Sequence, residues 1–191
     1  EKPRALREIV AEIGRYARER LTALQYPLPR LVLEPGRSII GPAGTTIYTV
    51  GNIKRIPRVR TYLAVDGGMT DNPRVALYQA VYEGALANKM NAPLTEVVTV
   101  TGKCCESGDM LIWDLPLAVP EPGDLLAVFD TGAYNYSMAS NYNRLPRPAV
   151  VLVRAGEAEL IVRRETYEQL VQNDLMPERL RVKPEAEPIA K

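Results

Sequence analysis

A change of rhythm at Gly44 constrains this chain more than any other feature. Before it, apolar side chains recur at helical spacing: Leu6, Ile9, Val10, Ile13, Tyr16, Ala17, Leu21 and Leu24, with arginines and glutamates between them. That spacing predicts a surface helix over residues 4–24 with one buried face. Pro27 and Pro29 break it. Leu31-Val32-Leu33 then reads as a short strand covered on both faces. Beyond Gly44 the runs become β-rich: residues 45–50, 58–65, 96–101, 124–129 and 149–154, separated by turn residues. Residues 151–164 read as a hairpin with Ala-Gly-Glu-Ala-Glu at its tip. Beyond Gly44, helices are expected only at about Arg74–Ala87 and Thr166–Asn173, and the polar, proline-containing stretch from Val182 to Lys191 reads as a frayed tail.

A single β/α unit cannot make a parallel sheet. Either it packs on the flank of the β domain, or it belongs to a larger sheet whose other strands lie elsewhere. A strand buried on both faces needs neighbours on both edges, which favours the second arrangement. The expected division is residues 1–44 as a β/α segment, 45–175 as a β-rich domain with short helices, and 176–191 as a tail.

Charge and composition exclude several function classes. Twenty-four Lys and Arg against 23 Asp and Glu give a net charge of +1, which does not suggest a nucleic-acid binder. No apolar run approaches the roughly 18 residues of a membrane span. There is no histidine, so a His-dependent triad and a His-containing zinc site are both excluded within the chain. Proton transfer must use carboxylate, Cys, Tyr, Lys or a group supplied from elsewhere. The two cysteines, Cys104 and Cys105, are adjacent. They lack metal-ligand spacing, so no metal is expected, and they point to a reducing, cytoplasmic setting.

Four stretches could carry chemistry. Glu34-Pro35-Gly36-Arg37 ends the apolar run, where α/β folds place ligands. Gly36 permits close backbone approach, and Arg37 can clamp a phosphate or carboxylate. A Pro-Gly turn with a solvated ion pair explains the same letters, as Glu121-Pro122-Gly123 illustrates. In Lys103-Cys104-Cys105-Glu106-Ser107-Gly108-Asp109 a thiol acid sits beside a carboxylate suited to a cationic group, although the cysteines could equally be small buried hydrophobes. Residues 132–143 mix Tyr134, Tyr136 and Tyr142 with Ser, Asn and Gly, suited to orienting an anion or to packing. After Asp66-Gly67-Gly68-Met69, Arg74 and Tyr78 share one helix face and can hold a carboxylate between them, or simply stack.

Taken in order, Glu-Pro-Gly-Arg, Asp-Gly-Gly-Met, Arg74-x-x-x-Tyr78, Cys-Glu-Ser-Gly-Asp, Gly-Ala-Tyr, Ser-Asn-Tyr-Asn and Arg-Arg-Glu-Thr-Tyr resemble the C-terminal part of the diaminopimelate decarboxylase family. These are pyridoxal-phosphate enzymes with an N-terminal (β/α)8 barrel and a C-terminal β domain. The resemblance runs from about Arg4 to Leu175. It implies a mainly β fold: a mixed, mostly antiparallel, barrel- or sandwich-like domain preceded by the last helix and strand of a (β/α)8 barrel.

The implied reaction is decarboxylation of meso-2,6-diaminopimelate to L-lysine and CO2 on pyridoxal 5′-phosphate, in a homodimer with sites at the interface. Glu34 would face the pyridine nitrogen. Gly36 and Arg37 would hold the cofactor phosphate, with Arg37 also reaching substrate. Arg74 and Tyr78 would hold a substrate carboxylate. Cys105 would cross the dimer interface and assist proton transfer, and Glu106 would read the distal amino group. Tyr134 would lie by cofactor and substrate. Cys104 reads as structural. The family's Schiff-base lysine, stacking histidine and glycine-rich loop match nothing here. The resemblance therefore implies a C-terminal portion, inactive alone. Other expectations are a related decarboxylase of basic amino acids and a non-catalytic β-domain interaction module.

Overall fold

The backbone changes where the sequence does. In this computed structural model, which describes residues 4–181, helices α1 (Leu6–Ala23) and α2 (Arg37–Ile40) precede Gly44. Beyond it come β1 (Thr46–Ile56), β2 (Arg60–Val65), α3 (Arg74–Tyr78), β3 (Gly84–Leu86), β4 (Glu96–Thr101), β5 (Met110–Leu117), β6 (Leu125–Val128), β7 (Val150–Arg154), β8 (Glu157–Val162) and α4 (Tyr167–Val171). The tail expected from Val182 lies outside the described residues. No described helix is long and apolar enough to cross a membrane.

Alternation builds the main sheet. Along β1, Tyr48 and Val50 turn inward and are buried while Ile47 and Thr49 stay exposed. The sheet runs β3-β6-β1-β2-β4-β5, with every pair antiparallel except β2 with β4. It curls until its two edges approach. A Cβ on Gly84 of β3 would sit 3.4 Å from Ile112 and 3.5 Å from Leu115, both on β5. The interior of this nearly closed, barrel-like sheet holds Leu63, Val98, Val100, Leu111, Leu117, Leu126 and Val128. Each such side chain contributes roughly 1.5–3 kcal/mol by leaving water.

Several expectations need correction. Residues 31–33 form no strand and pair with nothing; Val32 is 71% exposed. A parallel strand exists only by sharing hydrogen bonds with neighbours, and none of the described residues supplies them. For the same reason the apolar face of α1 is open: Leu6, Ile9, Val10 and Ile13 are exposed, and no residue of that helix is buried. The helix expected over 74–87 stops at Tyr78. Gln79 takes a left-handed φ of 52° and closes the last turn, and the chain then extends to pair Gly84–Leu86 with β6. The strand β5 was not expected, since Asp114 and Pro116 interrupt its apolar run. Asp114 adopts a φ of 51°, and Pro116 is tolerated on an edge strand.

The hairpin β7–β8 stands apart as a two-stranded sheet. Its turn is tighter than expected: Arg154 pairs with Glu157 across Ala155 and Gly156 alone, at φ 52° and 83°. One carboxylate ties its far end to the preceding loop. Glu165 Oε1 accepts from Arg147 Nε at 2.8 Å, and Oε2 accepts from the Arg147 backbone N–H at 2.8 Å and from Asn141 Nδ2 at 2.6 Å. The Arg147 hydrogen bonds hold the Glu165 carboxyl down to about 2 from an ordinary 4.5. A depressed pKa adds stability that is complete above the unfolded value and lost as pH falls through the folded one. Glu165→Gln is therefore expected to lower Tm at pH 7, and thermal unfolding at stepped pH should show its Tm falling less steeply than the parent's between about pH 4.5 and 2. Parallel Tm curves for the two proteins over that window would show that the carboxylate is not a stabilising anchor.

Candidate functional site

Close backbone contact fastens the segment before β1 to the loop after β6. The Gly132 N–H donates to Gly41 O at 3.0 Å, and the Thr131 N–H donates to Gly44 O at 3.0 Å. A Cβ on Gly132 would lie 2.0 Å from Ile40 O, so only glycine fits there. This junction brings Gly36 up to Tyr134. Gly36 has a φ of 57°, and a Cβ on it would lie 2.9 Å from Tyr134 Oη.

Around Tyr134 the first cluster assembles. The Arg74 guanidinium stacks over the Tyr134 ring at 5.4 Å and over the Tyr78 ring at 5.3 Å. The spacing of four residues on α3 sets the second contact, and the chain fold supplies the first. Arg74 Nε is closed off from solvent and has no acceptor. Arg37 is half-buried and folds over its own turn, its Cγ filling the space above Gly41. Glu34 is exposed, with no side-chain partner among the described residues.

A second cluster forms at the β4–β5 loop. Glu106 Oε1 accepts from the Tyr142 hydroxyl in a short hydrogen bond, and Cys105 Sγ lies 3.9 Å from the same oxygen. Glu106 Oε2 is closed off from solvent and has no donor. The Tyr142 hydrogen bond holds the Glu106 carboxyl below the usual range, and the same bond pushes the Tyr142 phenol up. Cys105 is exposed; Cys104 is half-buried, and burial pushes its thiol up.

Asp109 holds this loop to its neighbour. It is 2% exposed and accepts from the Met69 N–H at 2.6 Å and the Cys104 N–H at 2.7 Å. The Lys103 N–H donates to Gly67 O at 3.0 Å, and the Ser140 N–H to Thr70 O at 2.8 Å. Cβ atoms on Gly68 and Gly102 would each collide with the Asp109 carboxylate, at 2.6 and 2.2 Å. Tyr48 donates to Asp71 beneath these loops, and burial raises both pKa values.

The expected site residues thus fall into two groups: Gly36, Arg74, Tyr78 and Tyr134 together, and Cys105 with Glu106. No side-chain hydrogen bond joins the groups, and Glu34 and Arg37 border the first without bonding to it. Tyr142 and Asp109 lay within candidate stretches of the sequence but were given no role of their own. Tyr142 was signalled only by a Tyr-rich stretch of no clear period and by the Ser-Asn-Tyr-Asn motif, neither of which names its partner; Asp109 read as the end of a turn.

Residues 25–132 match the model of the pyridoxal-dependent decarboxylase family, C-terminal sheet domain. The chain is 56% identical over 173 residues to diaminopimelate decarboxylase of Halalkalibacterium halodurans, covering 91% of this chain and 39% of that protein. It is 59% identical over 154 residues to the Synechocystis enzyme of the same name, covering 81% and 33%. A crystal structure of diaminopimelate decarboxylase from M. jannaschii in co-complex with L-lysine superposes with a TM-score of 0.75 at 41% identity, over 81% of this chain and 35% of that one. The chain therefore spans about two-fifths of the length of such relatives or less.

Removing the Asp109 carboxylate leaves two backbone donors without an acceptor. Asp109→Ala is expected to cost about 3 kcal/mol, read as a lowered denaturation midpoint. Hydrogen exchange should speed up first at the Met69 and Cys104 amides; unchanged exchange there would show that the two loops are held by other means.

Proposed function

This chain belongs to the pyridoxal-dependent decarboxylases, and from that premise we propose that it forms the C-terminal part of an enzyme removing one carboxylate of meso-2,6-diaminopimelate to give L-lysine and CO2. The observation that carries the reading is a pair of polar atoms from oppositely charged side chains, Arg74 Nε and Glu106 Oε2. Each is closed off from solvent, and each lacks a partner. A polar atom shut off from water and left without a partner is unfavourable, and a ligand group arriving beside Arg74 or Glu106 would relieve that. The substrate has two amino-acid centres. While one reacts, the other still offers a carboxylate for Arg74 and Tyr78 and an ammonium for Glu106. A ligand lacking either group leaves a desolvated charge unpaired and is rejected for that reason.

Pyridoxal 5′-phosphate, when bound, supplies the sink for the electron pair released as the carboxylate leaves. The residues fit such a group. Gly36 offers backbone at a position with no room for a side chain beneath Tyr134 Oη. In this reading Gly36 and Arg37 hold the phosphate, and Arg37 also reaches the substrate. Glu34 would hold a proton at the ring nitrogen, and Tyr134 would lie by cofactor and substrate. Cys105 delivers a proton to the carbon that lost its carboxylate. The Cys105 thiol is exposed, which supports its reaching a bound ligand.

Two features support a homodimer with sites at its interface. The Cys105–Glu106 group and the Gly36–Arg74 group are each incomplete, and they are not joined within one copy. The open apolar face of α1 supports the assignment of residues 1–44 to a barrel segment that needs further elements to cover it. The free thiols of Cys104 and Cys105 support a cytoplasmic setting.

The test is made in the complete enzyme. Glu106→Gln is expected to lower kcat/KM for meso-diaminopimelate about 100-fold, the scale of a lost charge-assisted contact. The loss should vanish for an analogue lacking the second amino group. Equal losses on both compounds, or none on either, would refute the assignment of Glu106 to the substrate ammonium.

A further inference from the structure

We propose that Tyr142 is the positioning residue for Glu106: its hydroxyl holds Oε1 and so sets the direction from which the carboxylate meets the ammonium end of the ligand. The inference rests on the substrate reading above and deepens it. Three observations carry it. First, the two oxygens of Glu106 have opposite fates. Oε1 is bonded to Tyr142, whereas Oε2 has lost water and gained no donor. A free carboxylate at a surface would rotate to hydrate both oxygens; this one is held in a rotamer that starves Oε2.

Second, both partners stand on anchored loops, although they lie 36 residues apart in sequence. The Glu106 loop is pinned by Asp109 through the Met69 and Cys104 amides. The Tyr142 loop is pinned on one side by Asn141, which donates to Glu165 Oε2 and to Leu145 O at 2.6 and 3.1 Å. On the other side Arg144 reaches Asp174 at 2.8 Å and Leu170 O at 3.1 Å. A hydrogen bond between two anchored loops fixes direction at little further entropic cost.

Third, Cys105 Sγ lies 3.9 Å from the oxygen that Tyr142 holds. Turning Glu106 would carry its charge toward or away from that thiol. The hydroxyl therefore sets where the carboxylate points relative to both thiol and ligand.

The experiment uses the complete enzyme and two probes: L-lysine, and 6-aminohexanoate, which lacks the α-ammonium. Equilibrium binding of each is measured by calorimetry, and KM and kcat are measured for meso-diaminopimelate. Tyr142→Phe removes one hydroxyl from an exposed ring. It is expected to weaken L-lysine about tenfold, leave 6-aminohexanoate unchanged, and raise KM more than it lowers kcat. Equal weakening of both probes would mean that Tyr142 only supports the loop, and no weakening of either would mean it supports nothing here; both outcomes overturn the inference.

Glu106→Gln separates this failure from that of the substrate reading. If that variant discriminates the probes as the parent does, Glu106 is not the ammonium reader and both ideas fall. If it loses discrimination while Tyr142→Phe keeps it, only the role of Tyr142 falls. A fluorinated tyrosine at position 142, which has the shape of tyrosine and loses its proton near neutral pH, guards against misfolding of the Phe variant. Discrimination should then fade as pH rises through the phenol's pKa, and a flat pH profile would overturn the inference as well.

Discussion

The Asp109 carboxylate is the joint on which the loops of this domain are mounted. It lies at the start of β5 with almost no contact with water, and it takes backbone N–H groups from the β2–α3 loop and the β4–β5 loop together. A carboxylate can do this because it accepts through two oxygens and has no donor to satisfy. The glycines beside it follow from the same requirement. Gly68 and Gly102 bring their backbones so near the carboxylate that a methyl group would overlap it. With these loops fixed, Glu106 stands three residues before the joint, and Arg74 stands five residues beyond Met69, at the head of α3. The sheet supplies the rigid body, and the buried carboxylate makes its loop ends rigid too.

A similar device recurs where the chain needs a loop to behave like an element. Asp124 takes the Glu121 N–H at 2.8 Å, Asn88 Nδ2 at 2.7 Å and Lys89 Nζ at 2.8 Å, holding the second Glu-Pro-Gly turn against the segment after β3. Glu165 does the same between the hairpin and residues 141–147. In each case an acidic side chain takes a backbone N–H that no strand or helix satisfies and adds side-chain donors to it. The two Glu-Pro-Gly copies part ways here. The one at 121–123 is closed on itself by Asp124, while the one at 34–36 leaves its glutamate unpaired and its glycine under a tyrosine.

What was legible in the sequence depended on how local its cause was. β1, β2, β4, β6 and β7 came through because alternation or a β-branched run is written into consecutive residues, as Glu96–Thr101 shows. The capping of α4 was equally local: Thr166 accepts from the Gln169 N–H while the Gln169 side chain accepts from the Thr166 N–H. The failures had distant causes. Residues 84–86 are a strand only because β6 offers an edge, and residues 31–33 are not one because no described residue offers any. Within the site, the pairing of Arg74 with Tyr78 could be read from spacing. Its second ring, Tyr134, comes from 60 positions away, and no local pattern encodes that approach. The roles of Tyr142 and Asp109 were missed for the same reason, since they reside in partners 36 and 40 residues distant.

The distribution of unsatisfied polar atoms gives the domain its direction. Most of its ion pairs are exposed and structurally slight, such as Arg15 with Glu19 on α1 and Arg55 with Glu96 across the sheet. By contrast, Arg74 Nε and Glu106 Oε2 have surrendered water and received nothing in return. Two remedies exist in principle: move each toward solvent, or pair them with each other. The fold forecloses both. Arg74 is clasped between two tyrosine rings, and Glu106 is tethered through Tyr142. Two polar atoms of oppositely charged side chains are thus left without partners. Under the proposed function, a zwitterionic ligand end would supply a group to each. A ligand of one sign would relieve one atom and leave the other unpaired, which is the selectivity the proposed function expects.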